Sequence, residues 1–266
     1  MLLLTKSLKV IFGEKRISAL GLRLNALLKV LSLSTDTKLL KFFILKKNFY
    51  FGDKVATANY FGFLSEQKFD HCFKNSINTI VKNDLLSKDT ERLTEIKWRA
   101  HIVCWAANKV QELEGDFVDC GVWKGILPKT ICDFVNFATL PKTYFLVDPW
   151  GLGLNSNVYT EDIYDEVKSR FAEYPNVKLI RGLVPEALSL VDTQKVAYLA
   201  IDMNGSIPER AALDHFYPKM TKGGVIYFDD YGWNYPELRA TVDEFLTDKP
   251  ESLLHFPNGT AILIKH

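Results

Sequence analysis

Three acids are placed to do chemistry together. Asp202 ends the apolar run VAYLAID, and Asp229 and Asp230 end GGVIYFDD. If the two runs are neighbouring parallel strands, the three carboxylates meet at one carboxyl edge, in the crevice where open α/β sheets hold ligands. Crowded carboxylates repel one another, and a hard divalent cation such as Mg²⁺, which takes oxygen ligands and keeps some waters, would relieve that repulsion. The plainer alternative is three solvated strand-end acids. A second candidate is the turn Asp119-Cys120-Gly121-Val122-Trp123-Lys124-Gly125. Its glycines suit a tight strand-to-helix turn that lets a ligand approach the backbone, with a helix N-terminus behind it. Its spacing is GxxxG, not the GxGxxG of a dinucleotide site, so an NAD-type Rossmann enzyme fits poorly. Asp148, twenty-nine residues after Asp119, ends the next strand, where an acid either accepts the two hydroxyls of a ribose or merely caps a helix. His71, His101, His215, His255 and His266 lack partners at ligand spacing and read as structural. There is no Gly-x-Ser-x-Gly elbow and no GxxxxGK[ST] loop, which lowers serine-hydrolase and phosphoryl-transfer readings.

These residues need a sheet to hold them. After Glu114 strands alternate with helices: GDFVDCGV, a helix from Ile126 to Phe137, TYFLVDPW, a helix near IYDEVKSRFAEY, VKLIRG, VAYLAID, PERAALDHFYPKM and GGVIYFDDY. That alternation signals a mostly parallel sheet with helical crossovers. A helix from Pro236 to Thr247 follows, and LLHFPNGTAILIKH closes as a hairpin with Pro-Asn-Gly in its turn. Upstream, a long helix is expected from Thr90 to Leu113, with Trp98, Ile102, Trp105, Ala106 and Val110 on one face. The aromatic-rich stretch from Lys38 to Asp84 shows no sustained period and reads as irregular structure with short helices.

The net charge of +1 hides an asymmetry: the first 50 residues carry +8 and the remaining 216 carry −7. The stretch KRISALGLRLNALLKVLSLS, from Lys15 to Ser34, patterns as a basic amphipathic helix. Two uses are open for it, packing on the main domain or on a second copy of the chain, which is the commoner one, and lying on an anionic lipid surface. The four cysteines form no CxxC pair and are expected to be reduced thiols. No uncharged run approaches the roughly 18 residues of a spanning helix, and the first residues lack a cleavage signature. A cytoplasmic protein, with peripheral membrane contact left open, is the expectation. The acidic balance of the domain that holds the candidate site argues against nucleic acid as a partner.

The segments DFVDCGVWKG, LVDPW and LAIDMNGSIPERAALDHFYPKMTKGGVIYFDDYGW resemble the macrocin-type O-methyltransferases, class I S-adenosylmethionine-dependent enzymes that methylate sugar hydroxyls. The resemblance runs from about residue 114 to 248. It implies a Rossmann-like class I methyltransferase fold, with a mostly parallel seven-stranded sheet, a C-terminal antiparallel hairpin and a helical N-terminal extension. Residues 1–88 are read as that extension and 89–266 as the methyltransferase domain. The resemblance implies that Asp119, Gly121 and Gly125 cradle the methionine part of S-adenosylmethionine, that Asp148 holds the ribose and that Arg181 and Gly182 lie near the adenine. It assigns Mg²⁺ to Asp202, Asp229 and Asp230. Family members that act on sugars carry Asp-x-Asp where this chain has Asp202 and Asn204, the second Asp being the general base. An amide cannot take a proton at neutral pH, so Asn204 and Asp202 are the catalytic candidates without an assigned base.

The function expected is Mg²⁺-dependent methyl transfer to a hydroxyl of a sugar, glycoside or similar small molecule. The competing expectation, motivated by Asn204, is an accessory protein that kept the fold and lost turnover. Acceptor specificity is placed in segments 50–85 and 150–165, with Trp150, Tyr159 and Tyr164 as lining residues.

Overall fold

The computed structural model describes residues 51–52, 55–56, 66–78, 90–152, 162–232 and 235–266. The basic stretch 15–34, most of 38–84 and Tyr159 lie outside the described residues. Two short strands, β1 (Phe51–Gly52) and β2 (Val55–Ala56), pair antiparallel. Then follow α1 (Gln67–Asn78), α2 (Thr90–Val110), β3 (Asp116–Cys120), α3 (Ile126–Val135), β4 (Tyr144–Asp148), α4 (Asp162–Arg170) and β5 (Val177–Arg181). The chain continues with β6 (Val196–Ile201), α5 (Ser206–Phe216), β7 (Met220–Phe228), α6 (Pro236–Leu246), β8 (Leu253–His255) and β9 (Ala261–Ile264).

Seven strands form one sheet in the order β5-β4-β3-β6-β7-β9-β8. The first five are parallel, and β9 runs antiparallel between β7 and β8. This is the class I methyltransferase arrangement expected from the sequence. In the hairpin the turn glycine, Gly259, has φ 86°, and the amide of Phe256 donates to Thr260 O at 2.9 Å.

The central strands β4 and β6 are buried along their whole length, which is why they read as continuous apolar runs: helices cover both faces of a parallel sheet. Successive side chains alternate between the two cores. Phe117, Tyr144, Tyr198 and Tyr227 point into a core shared with α2, α3 and α4, whereas Val118, Phe145, Leu199 and Ile226 face α5 and α6. Phe117, Phe137, Tyr144 and Tyr198 stack with centroids 5.2–6.4 Å apart. Aromatic pairs of this kind are each worth about 1 kcal/mol beyond the area they bury.

The long helix ends at Val110, a turn before the expected Leu113, because residues 111–115 turn into β3. Its buried face is broader than expected, since Ala100, Val103, Cys104 and Ala107 are buried with Ile102, Ala106 and Val110. Trp105 does not share that face: it is 46% exposed. Helix α1, which falls before the boundary drawn at residue 88, is tied to the main core. Ser76 Oγ donates to Ile126 O at 3.0 Å, Thr130 Oγ1 donates to Ser76 Oγ at 3.0 Å, and Lys97 pairs with Asp70 at 2.5 Å. All four cysteines are free thiols, and no described helix is long and apolar enough to cross a membrane.

Candidate active site

The site lies at the carboxyl ends of β3, β6 and β7, where the strands part company with their helices. Register places these ends side by side: Cys120 opposite Ile201, and Ile201 opposite Phe228. Asp202 and Asp229 follow directly and Asp230 one residue later, and one carboxylate oxygen from each lies within 4.8 Å of the others. The three acids, with Asp119, Gly121 and Asn204, line one cavity of about 530 Å³, within the range of small-molecule sites. Gly125, Asp148 and Gly182 are not part of its lining.

The acids carry unequal loads. Burial and the neighbouring Asp230 push Asp202 up to about 7, against the opposing charge of Arg99. Burial also raises Asp230, again opposed by Arg99. Asp229 is satisfied by protein groups. Tyr227 O–H donates to its Oδ1 at 2.5 Å, and Arg99 Nη1 pairs with its Oδ2. The same guanidinium nitrogen lies 3.8 Å from Asp230 Oδ1. Asp119, deeper in the crevice, is raised to about 7 by burial, with Tyr144 O–H holding it down through a 2.8 Å hydrogen bond to Oδ1.

The glycine turn is built around Asp148. Its Oδ2 accepts the amides of Val122 and Trp123, each at 2.8 Å, and its Oδ1 accepts the amide of Trp150 at 2.7 Å. The carboxylate therefore clamps the ends of β3 and β4 together, a role the sequence did not suggest. The clamp is reinforced by the Trp150 Nε1 hydrogen bond to Trp123 O at 2.8 Å. Trp150, expected as a lining residue, is fully buried and is not part of the lining of this cavity, and its ring lies 5.4 Å from that of Tyr164. At the next edge Arg181 Nη2 donates to Trp150 O at 3.0 Å, while the amide of Gly182 donates to Asp148 O at 3.1 Å.

Gly121 has φ +90°, and a Cβ there would stand 1.8 Å from the carbonyl oxygen of Asp202. Close approach of β3 to β6 dictates this glycine, before any ligand is considered. Asn204 sits in left-handed backbone at φ 53° and is exposed, with its Nδ2 3.4 Å from Asp202 Oδ1. Its loop is fixed by Glu209 in the first turn of α5. That carboxylate accepts the amides of Met203 and Asn204 and is raised to about 7 by burial, against those two hydrogen bonds.

Arg99, Tyr227 and Glu209 escaped the sequence reading. For Arg99 a signal existed: Ile96, Arg99 and Val103 line the cavity together at helical spacing on one face of α2, and a cation among apolar neighbours needs a partner. The tyrosines carried none, since a Tyr in an apolar strand reads as core. The histidines hold no constellation. His101 stacks edge-on against Phe69, and His255 against Tyr231.

Comparison with known proteins agrees with this fold. Residues 136–251 match the family model described as macrocin-O-methyltransferase (TylF). The match takes in Asp148 and the whole acidic cluster, while β3 and the glycine turn precede it. No curated relative matches the chain. Among solved structures, the O-methyltransferase NovP aligns with a TM-score of 0.53 at 21% identity, over 63% of this chain and 79% of its own. CalS11, a TDP-rhamnose 3'-O-methyltransferase of calicheamicin biosynthesis, aligns with a TM-score of 0.52 at 16% identity, over 73% of this chain and 93% of its own. The S-adenosylhomocysteine-bound methyltransferase PaMTH1 of Podospora anserina aligns with a TM-score of 0.52 at 12% identity, over 80% and 99%. The fold is that of the class I methyltransferases, and over residues 136–251 the chain resembles the macrocin O-methyltransferases.

Proposed function

We propose that the chain is a divalent-metal-dependent O-methyltransferase that moves the methyl group of S-adenosylmethionine to a hydroxyl of a small, sugar-bearing acceptor. The observation that carries this reading is the convergence of Asp202, Asp229 and Asp230 within 4.8 Å at the wall of a cavity that the glycine turn also lines. An all-oxygen donor set of this charge suits Mg²⁺. When bound, Mg²⁺ would supply positive charge that acidifies an acceptor hydroxyl, and S-adenosylmethionine an already activated methyl group.

The residues of the chain bind and orient. Asp119 and Gly121 face the cavity at the end of β3, where the methionine part of the cofactor is proposed to lie. The Asp148 clamp holds this turn in shape, and ribose binding at Asp148 would have to share a carboxylate that already accepts three amides. Asp202, Asp229 and Asp230 would hold the metal. Asn204 cannot receive a proton; beside Asp202 its amide orients the acceptor hydroxyl by hydrogen bonding. Positioning supplies most of the catalysis in such a scheme. The solved neighbour that acts on TDP-rhamnose supports nucleotide-linked deoxysugars as the first acceptors to try. A small-molecule acceptor also agrees with the −7 share of residues 51–266, which would repel a nucleic-acid backbone.

Calorimetric titration with S-adenosylhomocysteine, with and without Mg²⁺, tests the cofactor. Micromolar binding, about −8 kcal/mol, is expected. Absence of binding in both conditions refutes the reading. Binding without methyl transfer to any nucleotide-linked sugar would favour the second reading, an accessory protein without turnover, which Asn204 in place of a base supports.

A further inference from the structure

The proposed metal site already contains a cation. Arg99, on the inner face of α2, pairs with Asp229 and lies 3.8 Å from Asp230. The pairing is well shielded: the side chains of Arg99, Asp229 and Asp230 are 15%, 6% and 12% exposed. A guanidinium stays charged at any working pH and binds carboxylates through a fixed fork of donors. Both oxygens of Asp229 are engaged, Oδ1 by Tyr227 and Oδ2 by Arg99.

We infer that Arg99 is a resident counter-cation that competes with the divalent ion for Asp229 and Asp230 and so sets the metal affinity of the site. The inference rests on the proposed metal reading of the cluster. With all three acids ionised, the cluster carries three negative charges, and Arg99 reduces this to two, so the metal-free site tolerates its own burial. An incoming divalent ion must displace the guanidinium from Oδ2 or bind with it alongside, and either route weakens binding relative to a cluster without the arginine. Like charges close together in a shielded site repel far more than in water.

The test is titration of Mg²⁺ and Mn²⁺ into the wild type, Arg99→Gln and Arg99→Lys, read by calorimetry and by the metal dependence of thermal unfolding. Arg99→Gln is expected to bind either ion at least tenfold more tightly than the wild type. Its melting temperature without metal should fall and be restored by millimolar Mg²⁺, because the ion takes over the lost charge. Arg99→Lys, which keeps the charge, should stay close to the wild type in affinity. Metal binding by the wild type with no gain in Arg99→Gln overturns the role of Arg99 and leaves the metal reading standing. An Arg99→Gln protein that stays unfolded in 20 mM Mg²⁺ also overturns it, since the metal should replace the guanidinium. Absence of binding in all three proteins overturns the metal reading, and this inference with it.

Discussion

Gly121→Ala should destabilise the sheet whether or not a ligand is bound. The added Cβ would stand 1.8 Å from Asp202 O and 2.4 Å from its carbonyl carbon, in backbone of φ +90°. Packed atoms need well over 3 Å, so the ends of β3 and β6 must part by roughly 1.5 Å. Parting strains the hydrogen bond from the Asp202 amide to Cys120 O, now 2.8 Å long, at a cost of about 1 kcal/mol. The positive φ adds about 1–2 kcal/mol, and the forced repacking about 2 kcal/mol. A stiffer unfolded chain returns about 0.5 kcal/mol. The net loss is about 4 kcal/mol, a large part of a domain's stability. Gly125→Ala provides the internal control. There the Cβ meets the edge of the Phe171 ring at 2.8 Å, a side chain that can shift, and the loss should be about 2 kcal/mol. Urea unfolding followed by tryptophan fluorescence and circular dichroism measures both. A Gly121→Ala protein within 1 kcal/mol of the wild type, or a Gly125→Ala protein that loses more, would refute the claim that strand approach dictates Gly121.

Glu251 is buried and accepts Lys265 Nζ at 2.7 Å, Tyr217 O–H at 2.6 Å and the His266 amide at 3.1 Å; burial pushes its pKa up, yet these bonds outweigh it and hold it at about 2. Being depressed from 4.5, it stabilises the fold above that value, and the contribution is lost as pH falls toward 2. Glu251→Gln should therefore lose about 2 kcal/mol at pH 7 and flatten the acid limb of stability between pH 5 and 2, and an unchanged limb would count against the network. Asp119 has the opposite sign: raised to about 7 from 3.8, it binds a proton on folding, so stability drains away as pH rises through that window. Asp119→Asn should be about 2 kcal/mol more stable than the wild type at pH 8 and no better at pH 4, as read by melting temperature across pH. Asp148→Asn presents an NH₂ to amides that need an acceptor, and should lose about 2 kcal/mol and hydrogen-exchange protection at Val122 and Trp123. If Asp148 served only a ribose, both would be unchanged.

The legible part of the fold was the part with strong periodicity. The fully buried runs YFLVD and VAYLAI had to be central strands, and once VAYLAI and GGVIYF lay side by side the acids that follow them had to meet, so the cluster of Asp202 with Asp229 and Asp230 could be read without coordinates. Contacts between elements far apart in sequence could not. Arg99 reaches Asp229 across 130 positions and Tyr144 reaches Asp119 across 25, and no local pattern encodes those meetings. Trp150 misled for a related reason: an aromatic after a strand suits a pocket rim as well as a core, and only the Trp123 carbonyl that receives its N–H decides between them. Trp105 misled in the other direction, since α2 buries small residues at the positions facing the sheet and leaves the large one outside.

The loop after β6 is anchored by a carboxylate from the following helix and not by the side chain it displays. Asn204 adopts left-handed backbone, a conformation that asparagine and aspartate tolerate almost alike, and its amide is held by Glu209 whichever of the two is present. The amide and the acid are separated by a single codon letter and by no difference in backbone demand. Proton acceptance at this position is thus decoupled from the backbone: a lineage on this scaffold could gain or surrender a base here without disturbing a strand or a helix, and what changes is the charge set beside Asp202.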